Sequence, residues 1–412
     1  MKKIKLTLKK RKITQQYFLF FIVLLLFFPA KNINLYHALI VAYLGFGFFL
    51  IDKKLTIGKE VLLLLFFIFL VSFSALWSSI YFLNDPLRNL SEVFRFFPVL
   101  MVLMIFGRSH FFYDSLFLKA ILFYSFLVFL VCWLQFFDAD FISPVTRFYS
   151  SDNHIELSLG VSSRALGLSQ GPGQNASLMA VIYAISLGQL VRKVNVFAWF
   201  FVTIFSGLSI FMSQSQTGFI VLLGVTLYCL FYVFIKWRIF GSKSTFSSFF
   251  LLFLGGSGVL LYFVDQLSYL FTLFTHGLAR SSFQNRVSKS SDIFFDVIDN
   301  PFFLMLGHGK DFFGPISGTM DNEWLFYLSV YGFLPLSMIV LFYLFVVFQS
   351  LFKGRQFFER KPYYVSLSFV VVAGVVLAYP TSFILDPRVL LLLSILSASA
   401  ISDQGGRSSK SI

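Results

Sequence analysis

Charged side chains are scarce in this chain of 412 residues, at 13% of the total, and those able to do chemistry gather in two stretches. The first reads Ser162-Ser163-Arg164-Ala165-Leu166-Gly167 and continues into Gly171-Pro172-Gly173-Gln174-Asn175. A glycine-rich segment beside an arginine, opening onto a helix, can offer backbone amides and a guanidinium to an anion. The same spacing also fits an ordinary helix-entry turn. The second stretch begins with Arg280, Arg286 and Lys289. Between Asn285 and Asn300 the spacing of Val287, Phe294 and Ile298 predicts the apolar face of a short helix closed by Pro301. Asp292, Asp296 and Asp299 make its other side acidic. That pattern fits a surface helix resting on lipid headgroups. It also fits a basic site, because guanidinium forks match the oxygens of a diphosphate.

Further along stand Leu306-Gly307-His308-Gly309-Lys310 and then Thr319-Met320-Asp321-Asn322-Glu323-Trp324-Leu325, with Tyr331-Gly332 beyond. Asp321 and Glu323 lie where the chain turns into an apolar run. An acidic residue there caps a helix N-terminus, or, if partly buried, gains a pKa suited to a general base. Arg95 falls inside an apolar run with Glu92 three residues earlier. Charges in such runs face a partner or a cavity, and a self-contained Glu92–Arg95 pair is the plainer alternative. Ser213-Gln214-Ser215-Gln216-Thr217-Gly218 is a short polar turn between two apolar runs.

Two patterns match by letter only. Gly167-Leu168-Ser169-Gln170-Gly171 spells a nucleophile elbow, but an elbow needs a preceding strand that this chain does not offer. Asp138-Ala139-Asp140 pairs two carboxylates that could hold a divalent cation, although a solvated acidic loop has the same spelling. Phosphate-binding P-loop, HExxH and dinucleotide-binding patterns are absent.

The elements that must position these residues are apolar. Hydrophobic residues make up 58% of the chain and aromatic residues 20%, with 60 phenylalanines. Soluble domains average roughly 45–50% apolar and about 25% charged, so a soluble enzyme, a nucleic-acid binder and a disordered chain are excluded. A bilayer crossing takes roughly 20 apolar residues. Spans are predicted near 17–30, 34–51, 61–78, 92–107, 117–136, 173–191, 195–212, 218–236, 248–264, 323–347, 363–384 and 388–402. The expected fold is therefore an all-α polytopic membrane protein, one domain over 1–412 with about twelve transmembrane helices. No internal repeat is visible. Cys132 and Cys229 read as lone thiols in apolar runs. The first span, preceded by seven basic residues and lacking a small-residue cleavage pattern, reads as an uncleaved anchor.

The net charge of +14 acquires meaning only by membrane side. With both termini placed in the cytoplasm, inner segments hold 23 of the 33 basic residues and outer segments hold 9, with Arg95 inside a span. The acidic residues divide 5 inside and 14 outside, giving about +18 on the inner face and −5 on the outer face. That asymmetry obeys the positive-inside rule and favours contact with anionic lipid. Two connections on the outer face are long, 137–172 and 265–322, and long loops are where function concentrates.

Together these pieces resemble the O-antigen polymerase and ligase superfamily, the Wzy-type polymerases in particular. The resemblance rests on Arg164-Ala165-Leu166-Gly167 with Pro172, on Ser213 to Gly218, on Arg286 ahead of a loop helix, on Gly307-His308-Gly309, and on Asp321-Asn322-Glu323-Trp324-Leu325 with Gly332. About twelve spans and a large late outer loop complete it. Gln216 stands where the family often has a basic residue. Asp321-Asn322 stands where the ligases have a histidine, which favours polymerase over ligase.

The resemblance implies a GT-C-like architecture in the bacterial inner membrane with a periplasmic active face. It implies a glycosyltransferase that joins undecaprenyl-diphosphate-linked oligosaccharide units for O-antigen or another surface polysaccharide. A flippase and a chain-length regulator of the same pathway are the implied partners, beside the lipid bilayer. A departing diphosphate needs positive charge. If Asp138 and Asp140 hold no metal, arginines supply it, Arg164 and Arg286 first, with Arg280 and Arg95 behind them. Asp321 is the expected base and His308 its reserve, with Asn322 beside the substrate. No cofactor or metal is expected, and displacement without a covalent sugar intermediate would invert configuration. The competing readings are a ligase that transfers glycan to a lipid A core, and a polytopic transporter or flippase. Transporters tend to carry repeats and several intramembrane ionisable groups, which this chain lacks.

Overall fold

A computed structural model of the chain describes residues 2–49, 58–82, 85–107, 112–160, 163–240, 281–299, 301–312, 322–378, 383 and 385–401. Among them there are helices and no strand. In chain order these are α1 (Lys2–Phe27), α2 (Ile33–Phe49), α3 (Lys59–Phe82), α4 (Pro86–Phe94), α5 (Phe97–Phe106) and α6 (Asp114–Phe136). Next come α7 (Ser143–Tyr149), α8 (Asp152–Ile155), α9 (Pro172–Val191), α10 (Val196–Met212) and α11 (Gln216–Phe240). The rest are α12 (Ser281–Ile298), α13 (Pro301–Leu306), α14 (Glu323–Phe326), α15 (Phe333–Phe352), α16 (Arg355–Arg360), α17 (Tyr364–Leu377) and α18 (Pro387–Ile401).

Among the described residues six segments are long and apolar enough to cross a membrane: Lys59–Phe82, Pro86–Phe106, Asp114–Phe136, Pro172–Val191, Gln216–Lys236 and Phe333–Phe352. Five shorter apolar helices among the same residues lie at Lys12–Phe27, Ile33–Phe49, Val196–Met212, Tyr364–Leu377 and Pro387–Ala400. The chain is thus an all-α membrane protein. The expected span 248–264 lies outside the described residues.

Helix α9 is the axis, buried along nearly its whole length against α6, α10, α11 and α17. Small residues allow this approach: a Cβ at Gly188 would collide with the backbone of Ser366. The outer helices spend their phenylalanines differently. α3 leaves Leu62, Leu63, Phe66, Phe69 and Phe73 exposed, and α15 leaves Leu341, Phe345, Phe348 and Phe352 exposed, the surface a bilayer would cover.

Two expected spans differ in detail, each for a backbone reason. The span expected from residue 92 starts at Pro86 and breaks after Phe94. Pro98 has no N–H to donate and its ring crowds the carbonyl four residues back, so the turn tightens, with Phe96 N bonded to Val93 O at 3.1 Å. Glu92 and Arg95 sit at this break. The span expected from residue 323 opens as α14, runs through a wide turn at Tyr327–Tyr331, and restarts as α15 after Gly332 at φ 87°. Only after that glycine is the helix continuous.

The connections expected on one side of the membrane meet at one end of the bundle. Tyr149 donates to Phe27 O at 2.7 Å, Gln170 to Ala30 O at 3.2 Å, and Arg88 pairs with Asp311 at 2.8 Å. Connections expected on the other side meet at the opposite end, where Lys236 donates to Lys353 O at 2.7 Å and Arg192 to Phe358 O at 3.3 Å. The predicted loop helix at 285–300 is present as α12, but its buried face differs from the expected one. Ile293 and Val297 pack against Leu325, while Phe294 and Ile298 are exposed. Both choices fit a helical period, and the one that meets α14 is the one buried.

Candidate functional site

The site is built around two glycines that touch back to back. Gly307 and Gly332 both lie at positive φ, 79° and 87°. A Cβ on Gly307 would strike Val330 O and Gly332 N, and one on Gly332 would strike Met305 O and Gly307 N. Only glycine permits both the conformation and the contact. The approach lets His308 N bond to Ser329 O at 2.7 Å and Gly309 N to Val330 O at 3.1 Å. Ser74 and Ser78, one turn apart on α3, donate to Val330 O and His308 O.

This pairing delivers Lys310 to α4. Its Nζ reaches Glu92 Oε1 at 2.5 Å. Arg95 binds Glu92 Oε2 at 2.8 Å, and Tyr331 donates to the same oxygen at 2.6 Å. Glu92 is buried, so a single cation would leave carboxylate lone pairs unmet, whereas two donors, Lys310 from the Gly-Lys loop and Tyr331 from the wide turn, satisfy them beside the ion pair to Arg95. The plain alternative of a self-contained Glu92–Arg95 pair is therefore incomplete. Beside it Asn89 Oδ1 accepts from Asp311 N at 2.9 Å.

Tyr331 stacks on Tyr327, ring centroids 5.5 Å apart, and Tyr327 donates to Glu323. Glu323 also accepts from the backbone amides of Phe383 and Leu385, the latter at 2.8 Å. Its own N–H bonds to Ala378 O at 2.7 Å. One buried carboxylate thus clamps the chain that enters α18.

The clamp continues across the site. Arg388, buried at the start of α18, pairs with Asp386 at 3.6 Å and donates to Leu168 O at 3.1 Å and Ser169 Oγ at 3.0 Å. Those residues belong to the glycine-rich segment. Its amides at Leu166 and Gly167 donate to Gln135 Oε1, at 2.9 and 2.8 Å, so they are already engaged by α6. Asn175 donates to Ser213 Oγ at 2.8 Å, and Arg164 Nε reaches Ser213 O at 3.4 Å. The first long loop, the turn after α10 and the entry to α18 therefore form one polar assembly, which joins the Glu92 cluster through Glu323.

Several expected site residues fall within this assembly. Arg164 lies at its rim, half-buried on Ser213. Arg95 lies at its core. Asn322 caps α14, accepting from Leu325 N at 3.1 Å. His308 stacks among Phe82, Phe303 and Phe312, and burial there lowers its pKa, which keeps the imidazole neutral at pH 7. Arg286 belongs to the second turn of α12, while its side chain, all of Arg280 and all of Asp321 lie outside the described residues. Asp138 adopts a left-handed turn at φ 57° and Asp140 opens a short 3-10 turn. Among the described residues no group of three or more potential metal ligands assembles.

Glu323, legible in the sequence only as an acidic residue at a span entry, carries much of the geometry with Lys310, Tyr331, Gln135 and Arg388, which do not stand out there. The signal was present for two of them. Gln135 and Arg388 are polar groups within or at the edge of apolar runs, where burial demands a partner. Comparison with models of known protein families gave no match, and comparison with curated proteins gave none.

Proposed function

We propose that the protein is a membrane glycosyltransferase that polymerises undecaprenyl-diphosphate-linked oligosaccharide units. In this reading it lies in the bacterial inner membrane with both termini cytoplasmic, and the end carrying the long connections faces the periplasm. The observation that carries it is the continuity of contacts from the Arg164 segment, through Arg388 and Glu323, to the Glu92, Arg95 and Lys310 cluster. A transfer from a diphosphate needs cations at one place and a base at another, held in fixed relation.

The acceptor sugar hydroxyl attacks the anomeric carbon of the donor chain. A new carbon–oxygen bond forms as the bond from that carbon to the diphosphate oxygen breaks. The electron pair leaves with undecaprenyl diphosphate, whose charge Arg164 and Arg286 stabilise, supported by Arg280 and Arg95. The hydroxyl proton passes to Asp321. Single displacement inverts the anomeric centre. Glu323 and Arg388 serve as positioning residues, since their hydrogen bonds are taken up by the protein itself.

A deletion strain tests the assignment by the gel ladder of its surface polysaccharide. Loss of the ladder with a single repeat unit kept on the core supports polymerisation. Complete loss with accumulated lipid-linked polymer would make the protein a ligase, and single units held on the cytoplasmic face would make it a flippase. Within the reading, Arg164→Ala and Arg286→Ala at normal expression abolish the ladder, and full activity in both would end the arginine model.

A further inference from the structure

We infer that the short helix α7, with the turn before it, anchors the first long loop in the lipid interface, and that Phe141, Val145 and Phe148 enter the acyl-chain boundary. The helix has one docked side. Thr146 and Tyr149 are buried, Tyr149 bonding to the last residue of α1 and Thr146 accepting from Gln135 in the last turn of α6 at 2.9 Å. Lys31 adds a bond to Ser150 O at 3.1 Å. Attached at three points to the ends of two apolar helices, α7 is held at the level where those helices leave the membrane.

The opposite side is apolar and open. Phe141 is 72% exposed, Val145 38% and Phe148 61%, at spacings of four and three residues. Such spacing keeps all three on one helical face. In the chain it follows directly on another exposed apolar surface. Phe123, Phe126, Leu130, Trp133 and Phe137 form an exposed stripe along α6, a helix long and apolar enough to cross the bilayer, and the stripe ends four residues before Phe141. Acyl chains that cover the stripe meet Phe141 next. Leaving two phenylalanine rings in water would forfeit the free energy of transferring both. Arg147, on the exposed flank, suits the phosphate level, where a long basic side chain keeps its charge in the headgroups. Through Ser150, which donates to Gln170 O at 2.5 Å, the anchor also steadies the glycine-rich segment. The inference does not depend on the reaction proposed above.

The test uses the full chain in nanodiscs of phosphatidylethanolamine and phosphatidylglycerol. Spin labels are placed singly by Phe141→Cys, Val145→Cys and Phe148→Cys, with Asn153→Cys and Glu156→Cys, both exposed, as solvent references. Cys132 and Cys229 are buried, and the wild-type chain gives the background. The first three labels should collide with dissolved oxygen more than with a water-soluble nickel chelate, and the references should do the reverse. Labels at 141, 145 and 148 that meet the chelate freely would overturn the anchor. So would labels shielded from both reagents, which would mean a protein cover. Phe148→Trp gives an independent reading: brominated lipid should quench it beyond the wild-type tryptophans, and no added quenching would count against the proposal.

Discussion

Tyr331 donates its hydroxyl hydrogen to Glu92 at 2.6 Å, joining a wide helical turn late in the chain to the break between α4 and α5. Neither partner would be stable there alone. A buried carboxylate with Arg95 and Lys310 on it still has acceptor capacity to fill, and a buried phenol needs an acceptor. Glu92→Gln leaves two cations facing a neutral amide, so it should cost about 3–5 kcal/mol, the range for breaking a buried pair. Tyr331→Phe removes one bond to a charged acceptor and should cost about 1.5–3 kcal/mol. Thermal unfolding of both variants in detergent checks the order, and equal losses would contradict it.

The contact of Gly307 with Gly332 allows no side chain on either residue. Gly307→Ala and Gly332→Ala should each cost more than the roughly 1–2 kcal/mol of a left-handed alanine, because backbone must also move apart. Gly354→Ala is the control: its φ is −86° and nothing lies within 4 Å of the added carbon. Melting temperatures should fall for the first two and stay level for the control.

Arg388 and Ser169 define a third case. Arg388→Met leaves Asp386 buried without its cation and frees Leu168 O, for an expected loss of about 3–5 kcal/mol. Ser169→Ala removes one acceptor from Arg388 and should cost about 1–3 kcal/mol. A double-mutant cycle should give clear coupling, since both changes act on one hydrogen bond.

His308 supplies a pH dependence with a defined sign. Burial lowers its pKa in the folded protein, so between that value and the ordinary value near 6.5 the unfolded chain binds more protons. Its contribution is complete above pH 6.5 and declines as the pH falls. The wild-type melting temperature should drop from pH 7.5 to 5.5 more than that of His308→Leu. Parallel curves would show that the imidazole stays neutral in both states or charges freely in both.

Much of the scaffold was legible in the sequence. Apolar runs of about span length identify α6, α9 and α15 because a bilayer requires that length whatever packs around it. The alternating basic and acidic connections likewise separate the two ends. The helix break at Phe94 was less visible, since Pro98 acts four residues ahead of itself. The buried face of α12 was not legible either, because Ile293 and Val297 share its helical period with Val287, Phe294 and Ile298, and only α14 decides between the two faces. In the site, Arg95 and Arg164 stood out by type and neighbourhood. Glu323 stood beside Asp321 at the entry to a span, but its role was not legible, since it depends on two backbone amides sixty residues further on, at Phe383 and Leu385.

Polymerase activity is read by reconstituting the purified chain in liposomes with a single defined undecaprenyl-diphosphate-linked repeat unit. The proposed reaction predicts polymers of increasing length, with each new linkage opposite in anomeric configuration to the donor. It also predicts loss of turnover in Arg164→Ala and in Asp321→Asn. No polymer from well-folded protein, or polymer that retains configuration, would contradict it.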